Sequence, residues 1–293
     1  MIYEVLHTTR YDYDAPVESS FAEIRQLPDD VDGQVCVRRE VTTDPGPDSL
    51  REHRDYFGNL TATAVIREPH TRLVVTSSSL IDTSGRPTGF GPQGQQPWAT
   101  YSAARSDPDD LESIEFSLDS KRVTRSAQLA DYARPSFADR VSLADGVVSL
   151  CARVHADFDF DADATQVDTP LADVMEIRKG VCQDFAHVMI GSLRSLGLAA
   201  CYVSGYLETE PPPGKPRLTG VDRSHAWVGI HLGSGRWIGI DPTNNRLAGP
   251  RYVTAARGRD YSDVPPLRGI IFTDAKKSKL TVSVDVAAQH AAP

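Results

Sequence analysis

Gly180-Val181-Cys182-Gln183-Asp184-Phe185-Ala186-His187 reads as a short turn opening into a helix. Gly is the usual residue just past a helix end, so Gly180 closes what precedes it. Cys182 then falls at or near the first turn of the next helix. Phe185, Val188, Met189, Leu193 and Leu196 recur at helical spacing, and Gly197 marks the stop. A thiol at a helix N-terminus lies at the positive end of the macrodipole, which favours thiolate over thiol. The position suits a nucleophile.

Two later segments supply partners for that thiol. Ser224-His225-Ala226-Trp227-Val228-Gly229-Ile230 reads as a strand with a histidine at its start. Gly239-Ile240-Asp241-Pro242-Thr243-Asn244-Asn245 ends another apolar strand with an aspartate before a Pro turn. The two strands are joined by Gly233-Ser234-Gly235. Pairing Leu232 with Arg236 sets Trp227 opposite Asp241 and makes His225 the diagonal neighbour of Asp241 on the same face. His225 can then accept the thiol proton, and Asp241 can fix the imidazole tautomer and stabilise the imidazolium.

The runs GVCQDFAH, SHAW and DPTNN, in that order, resemble the transglutaminase-like superfamily, with its papain-like Cys-His-Asp core. The likeness is to its bacterial branch, which carries an extra N-terminal β region. Tyr202-Val203-Ser204-Gly205-Tyr206-Leu207, Gly258-Arg259-Asp260-Tyr261, the run from Asp263 to Gly269 and Tyr56-Phe57-Gly58-Asn59 extend it over nearly the whole chain. The resemblance implies the catalytic set Cys182, His225 and Asp241, with no metal and no cofactor. Trp227, sharing the strand face of His225, and Tyr206 are candidate substrate-binding residues; a plain core role for Trp227 fits the pattern equally. One departure is Ala199-Ala200-Cys201, where the branch has Pro-Ala-Arg, a change that could alter the cleft wall or the substrate's charge preference.

The chain has 293 residues, 40% apolar and 24% charged, with a net charge of −9. That size is enough for one large or two ordinary domains. The acidic balance argues against a nucleic-acid partner, which wants a basic face. No long apolar run argues for a membrane span, and the opening residues lack a basic-then-apolar segment, so a cytoplasmic location is expected. The cysteines Cys36, Cys151, Cys182 and Cys201 form no CxxC pair, which argues against structural zinc. Cys151 and Cys201 read as core.

The expected fold is α+β. A β-sandwich-like domain covers residues 1–100, with strands carrying Tyr3 to Tyr13, Val35 to Val41, Leu60 to Ile66 and Leu73 to Ile81. Its Gly/Pro-rich stretch 83–98 is either a linker or a cover for the cleft. A papain-like core covers residues 101–293, with an amphipathic helix through Leu143, Val147, Leu150 and Val154 and a last strand at Leu280 to Val286. Asp157, Asp159, Asp161 and Asp163 invite a calcium reading, but Phe158 and Phe160 alternate through them and Ala162 stands where an EF-hand needs Gly; a solvated strand-and-turn is expected. The Pro-rich run 211–216 is a stiff surface loop, and Asp222 and Ser224 are candidates to line the substrate path. His187 lies about 140° around the helix from Cys182, which suits a structural hydrogen bond better than a shared zinc.

The chemistry expected is thiol-dependent acyl transfer on peptide or side-chain amides, with hydrolysis foremost. A protein-glutamine transamidase and a non-catalytic binding protein on the same scaffold are the alternatives. The partner expected is a peptide or protein amide; the oligomeric state stays open.

Overall fold

A computed structural model describes residues 1–102, 109–208 and 224–289. The run 211–216 and Asp222 lie outside them. The chain begins with β1 (Ile2–Ile24), β2 (Val35–Asp44), β3 (Ser49–Arg54), β4 (Leu60–Ile66) and β5 (His70–Asp82). Tyr3, Val5, His7 and Thr9 of β1 are buried while Ile2 and Leu6 are exposed, the period-two pattern expected of a half-buried strand. β1 continues through Pro16 to Ile24 because the irregularity sits where the donor is missing. Asp12 pairs with Arg72, and pairing with β5 resumes only at Val17 and His70.

Beyond β5 the stretch 83–98 packs down rather than hanging free. It contains α1 (Gly91–Gly94), and Phe90 is buried in the helical core. There follow α2 (Leu111–Glu115), α3 (Ala127–Ala133), α4 (Leu143–Asp157), β6 (Asp159–Phe160), α5 (Leu171–Ile177), β7 (Lys179–Gly180) and α6 (Cys182–Ser195). The acidic run ends α4 at Asp157 and continues as strand and turn: Asp157 Oδ2 accepts the Tyr132 hydroxyl, and Asp161 Oδ1 accepts the Asp163 N–H. The remaining strands are β8 (Ala200–Leu207), β9 (Ser224–His231), β10 (Trp237–Asp241), β11 (Arg246–Leu247), β12 (Tyr252–Gly258), β13 (Leu267–Thr273) and β14 (Ser278–Gln289).

Two large sheets result. One has seven strands with β1 as its spine, in the order β2-β5-β1-β4-β3. The first half of β1 lies between β5 and β14, and the second half between β4 and β13. The N-terminal region is thus one curled sheet, because one long strand serves both halves, and the halves share a core in which Val41, Leu73 and Val75 pack with Ile24, Ala62 and Ile66, the sandwich-like packing expected. The other sheet is antiparallel, in the order β11-β10-β9-β8-β12. One face of it takes α6: Ala200, Tyr202, Ala226, Val228 and Ile230 pack with Phe185, Val188 and Met189. Tyr3, Val5, Val284 and Val286 of the first sheet meet Tyr206, Val253 and Ala255 of the second.

The expected division, with everything after residue 100 in the core, is corrected at its far end. β13 and β14 pair with β1, so residues 267–289 belong to the first sheet. Without them β1 would present an unpaired edge along its whole length, which is unfavourable for a strand this long and apolar. Among the described residues no helix is long and apolar enough to cross a membrane.

Candidate active site

The parallel pairing of β6 with β7 brings Phe160 beside Gly180 and delivers the chain to α6. Cys182 is the first residue of that helix and is partly exposed. The intrahelical ladder starts with the N–H groups of Asp184 and Phe185, both donating to Val181 O, so the Cys182 N–H is one of the helix's end donors. Asp184 Oδ2 holds the turn by accepting the Val181 N–H at 2.8 Å and the Thr165 hydroxyl at 2.6 Å. A side chain at Gly180 would overlap the Asp184 carboxylate, which explains the glycine. Burial raises the pKa of Asp184 against the pull of those two donors.

His225 and Asp241 meet as the strand count implies. Leu232 N–H bonds Arg236 O, and the β9–β10 register runs through Ile238 opposite Ile230 to Ile240 opposite Val228. Gly233, Ser234 and Gly235 all take positive φ, the conformation that lets so short a connection reverse the chain. His225 Nε2 lies 2.7 Å from Asp241 Oδ2, and Cys182 is near enough to raise the His225 pKa. Asp241 is fully buried and its carboxyl is held below the usual range. Burial alone would raise it, but the bonds from His225, Asn244 and Tyr252 outweigh burial. An ionised carboxylate only accepts, so Nε2 carries the proton and Nδ1 is left for the thiol.

The same contacts set the imidazole. Burial would lower His225, yet its bonds to Asp241 and Cys182 and the attraction of their charges raise it to about 10. The other thiols are pushed the opposite way from a nucleophile's needs. Burial lifts Cys151 and Cys201 to about 12 each, and it also raises Cys36. Cys151 Sγ lies 3.5 Å from Asp241 O, as part of the wall behind the triad.

The remaining sequence-derived candidates separate. Trp227 is buried, with its ring 6.2 Å from that of His225 and 5.2 Å from that of Tyr252. Its buried ring packs beside the histidine and Tyr252 and is not an exposed cleft wall. Tyr206 is not brought to the site: it is buried between the sheets, and its hydroxyl is 2.9 Å from His7 Nδ1. Its side chain alternates to the face of β8 opposite that of Gly205, the strand partner of His225. His187 accepts the Tyr261 N–H at Nε2, the structural bond expected of it, and burial lowers it to about 4. Trp98 donates to Ala138 O and packs on Phe137. Ser224 opens β9 opposite Tyr206. Cys201 faces away from α6 into a cavity beside Trp227.

Two residues of the site were not assigned from the sequence. Asn244 Nδ2 donates to Asp241 Oδ2 at 2.7 Å, and the Tyr252 hydroxyl donates to the same oxygen at 2.8 Å. The DPTNN run contained Asn244 but not its role, and no local signal ties Tyr252 to the triad. Among the described residues no group of three or more His, Cys, Asp or Glu is placed to hold a metal ion.

Two family models match parts of the chain. Residues 3–82 match the family model for the bacterial transglutaminase-like N-terminal region, and residues 131–242 match that for the transglutaminase-like superfamily. An uncharacterized Mycobacterium tuberculosis protein is 42% identical over 97% of this chain and 92% of its own length. An uncharacterized Mycobacterium leprae protein is 32% identical over 96% of this chain and 97% of its own. The crystal structure of a proposed cysteine protease from Cytophaga hutchinsonii superposes with a TM-score of 0.72 at 19% identity, covering 100% of this chain and 93% of that one. At that identity the likeness speaks for the fold alone.

Proposed function

The chain belongs to the transglutaminase-like superfamily, in the group with a bacterial transglutaminase-like N-terminal region, and on that premise we propose that it hydrolyses amides through a thioester on Cys182. The observation that carries this reading is His225, bonded to the buried Asp241 at 2.7 Å and close enough to Cys182 for the thiol to raise its pKa.

In the proposed reaction the Cys182–His225 pair holds one proton, on His225 Nδ1, as Cys182 Sγ attacks the amide carbonyl. The Nε2–H bond to Asp241 keeps the imidazolium charge balanced. The Cys182 N–H donates to the developing oxyanion, where an aligned donor contributes most. Collapse of the tetrahedral intermediate expels the amine, which takes the proton from Nδ1 and leaves a thioester. His225 then removes a proton from water as it attacks the thioester, releasing the acid and the thiol. Competition favours water as acceptor: a transamidase must exclude water and bind its amine, and Trp227, the aromatic beside His225, is buried rather than lining an open tunnel.

The test is incubation with glutamine-containing peptides, with and without a large excess of a primary amine, read by mass spectrometry. Cleaved or deamidated peptide in both arms is the expected result. Amine adducts outweighing hydrolysis would establish transamidation instead. No turnover together with an unreactive Cys182 would leave a binding protein on a catalytic scaffold.

A further inference from the structure

The face of the second sheet turned away from α6 carries a cavity of about 60 Å³, walled by Cys201, Val203, Trp227 and Trp237 and closed by Val31 and Arg86 of the N-terminal region. One water needs about 10–15 Å³ of such space, so a molecule of about four heavy atoms fits. The walls are apolar, but two donors in them are unmatched. Trp237 is only 9% exposed, and its Nε1 has no hydrogen-bond partner. Arg86 Nε is likewise buried without a partner.

The rest of the Arg86 guanidinium is satisfied by neutral groups: one terminal nitrogen donates to Gln34 Oε1 at 2.7 Å and to Thr254 Oγ1 at 2.6 Å. Among the described ion pairs none includes Arg86. The second cation of the lining, Arg257, is neutralised by Glu112 at 2.9 Å. Asp32, also in the lining, is an exposed residue. Burial lowers Arg86 to about 10, with the charge of Asp32 opposing. A buried guanidinium held by neutral acceptors is costly, and an anion on its free edge relieves that cost.

We propose that this cavity binds a small organic carboxylate, its oxygens on Arg86 Nε and Trp237 Nε1 and its apolar end against Trp227 and Val203. The apolar walls favour a carboxylate over an inorganic anion of the same charge. The cavity shares Trp227 with the packing around His225, but its two donors, Arg86 and Trp237, lie outside the Cys182, His225 and Asp241 set.

The full-length protein is titrated with sodium acetate and, in parallel, with sodium chloride at matched ionic strength, following the melting temperature. Acetate should give a saturable rise that chloride does not. Arg86→Gln should weaken the acetate effect by roughly tenfold or more, the scale of a hydrogen bond to a charged group. Because Arg86 also ties down Gln34 and Thr254, Trp237→Phe serves as the second variant; it keeps the ring, removes the N–H and should weaken binding by about tenfold on the same scale. Cys182→Ala should bind acetate like the parent, even if the catalytic reading fails. Equal responses to acetate and chloride would overturn the proposal, and so would an unchanged acetate affinity in Trp237→Phe or in folded Arg86→Gln.

Discussion

Asp241 has no exposed surface, and a buried carboxylate is costly unless its lone pairs are filled. Here Oδ2 accepts from His225, Asn244 and Tyr252, and Oδ1 accepts the N–H groups of Thr243 and Asn244. That shell keeps the carboxylate charged and aims it at the imidazole. Asp241→Asn keeps the shape and removes the charge, so kcat/KM should fall by roughly tenfold or more. The pH profile should move as well. In the proposed reaction His225 must hold a proton to give to the leaving amine, so activity should be present below its pKa and lost as pH rises through about 10. In Asp241→Asn one of the two raising partners is neutralised and Cys182 alone opposes burial, so the alkaline limb should shift down from about 10. An unmoved limb would contradict the pairing. The stability that His225 contributes runs the same way, complete below about pH 6.5 and lost by about pH 10. Tyr252→Phe should cost about 1.5–3 kcal/mol in urea unfolding, because it takes one donor from a buried anion. The triad was legible because each member sits in its own short motif. Tyr252 was not, because its role arises only when β12 crosses beside β8 and places its hydroxyl at Asp241.

At the scale of elements, the start of α6 and the β9–β10 hairpin do the positioning. The hairpin was readable by counting, since a tight return fixes register and register fixes which side chains share a face. Gly180 was read as the glycine that ends the preceding helix, but Arg178 closes α5 in the left-handed conformation and Gly180 pairs in β7; its reason lies in packing, since it leaves room for the Asp184 carboxylate that accepts the Val181 N–H. Gly180→Ala should therefore destabilise by about 1–3 kcal/mol, the range for forced overpacking, and should slow alkylation of Cys182. Urea unfolding and peptide-mapped labelling measure the two effects, and a neutral outcome in both would separate this turn from the site. Tyr206 marks where sequence reasoning fell short. Its place in a motif beside the catalytic strand suggested substrate contact, whereas alternation along β8 turns it to His7 and the other sheet.

Across the whole molecule, β1 is the strand on which the first sheet is organised, with β5 and β14 along its first half and β4 and β13 along its second. The period-two runs announced most of these strands. They could not announce that the last two return to the first, because pairing partners hundreds of residues apart leave no local trace. β3, with Arg51, Glu52, His53 and Arg54 all exposed, carried no apolar alternation to read. A chain ending after Pro266 should lose the cover of Tyr3 and Val5 along with one edge of β1. It should then unfold at lower temperature and associate in size-exclusion chromatography. Retention of the parent melting temperature and a monodisperse profile would show that β13 and β14 are dispensable.

The account rests on Cys182 as the nucleophile of a Cys-His-Asp set, and its reactivity can be measured without knowing the substrate. The folded protein is treated with iodoacetamide at neutral pH, and alkylation of each cysteine is followed by peptide mapping, in the parent and in Asp241→Asn. Cys182 should react well ahead of Cys36, Cys151 and Cys201, and more slowly once Asp241 is neutralised. Labelling of Cys182 no faster than Cys36, and indifferent to Asp241→Asn, would contradict the account.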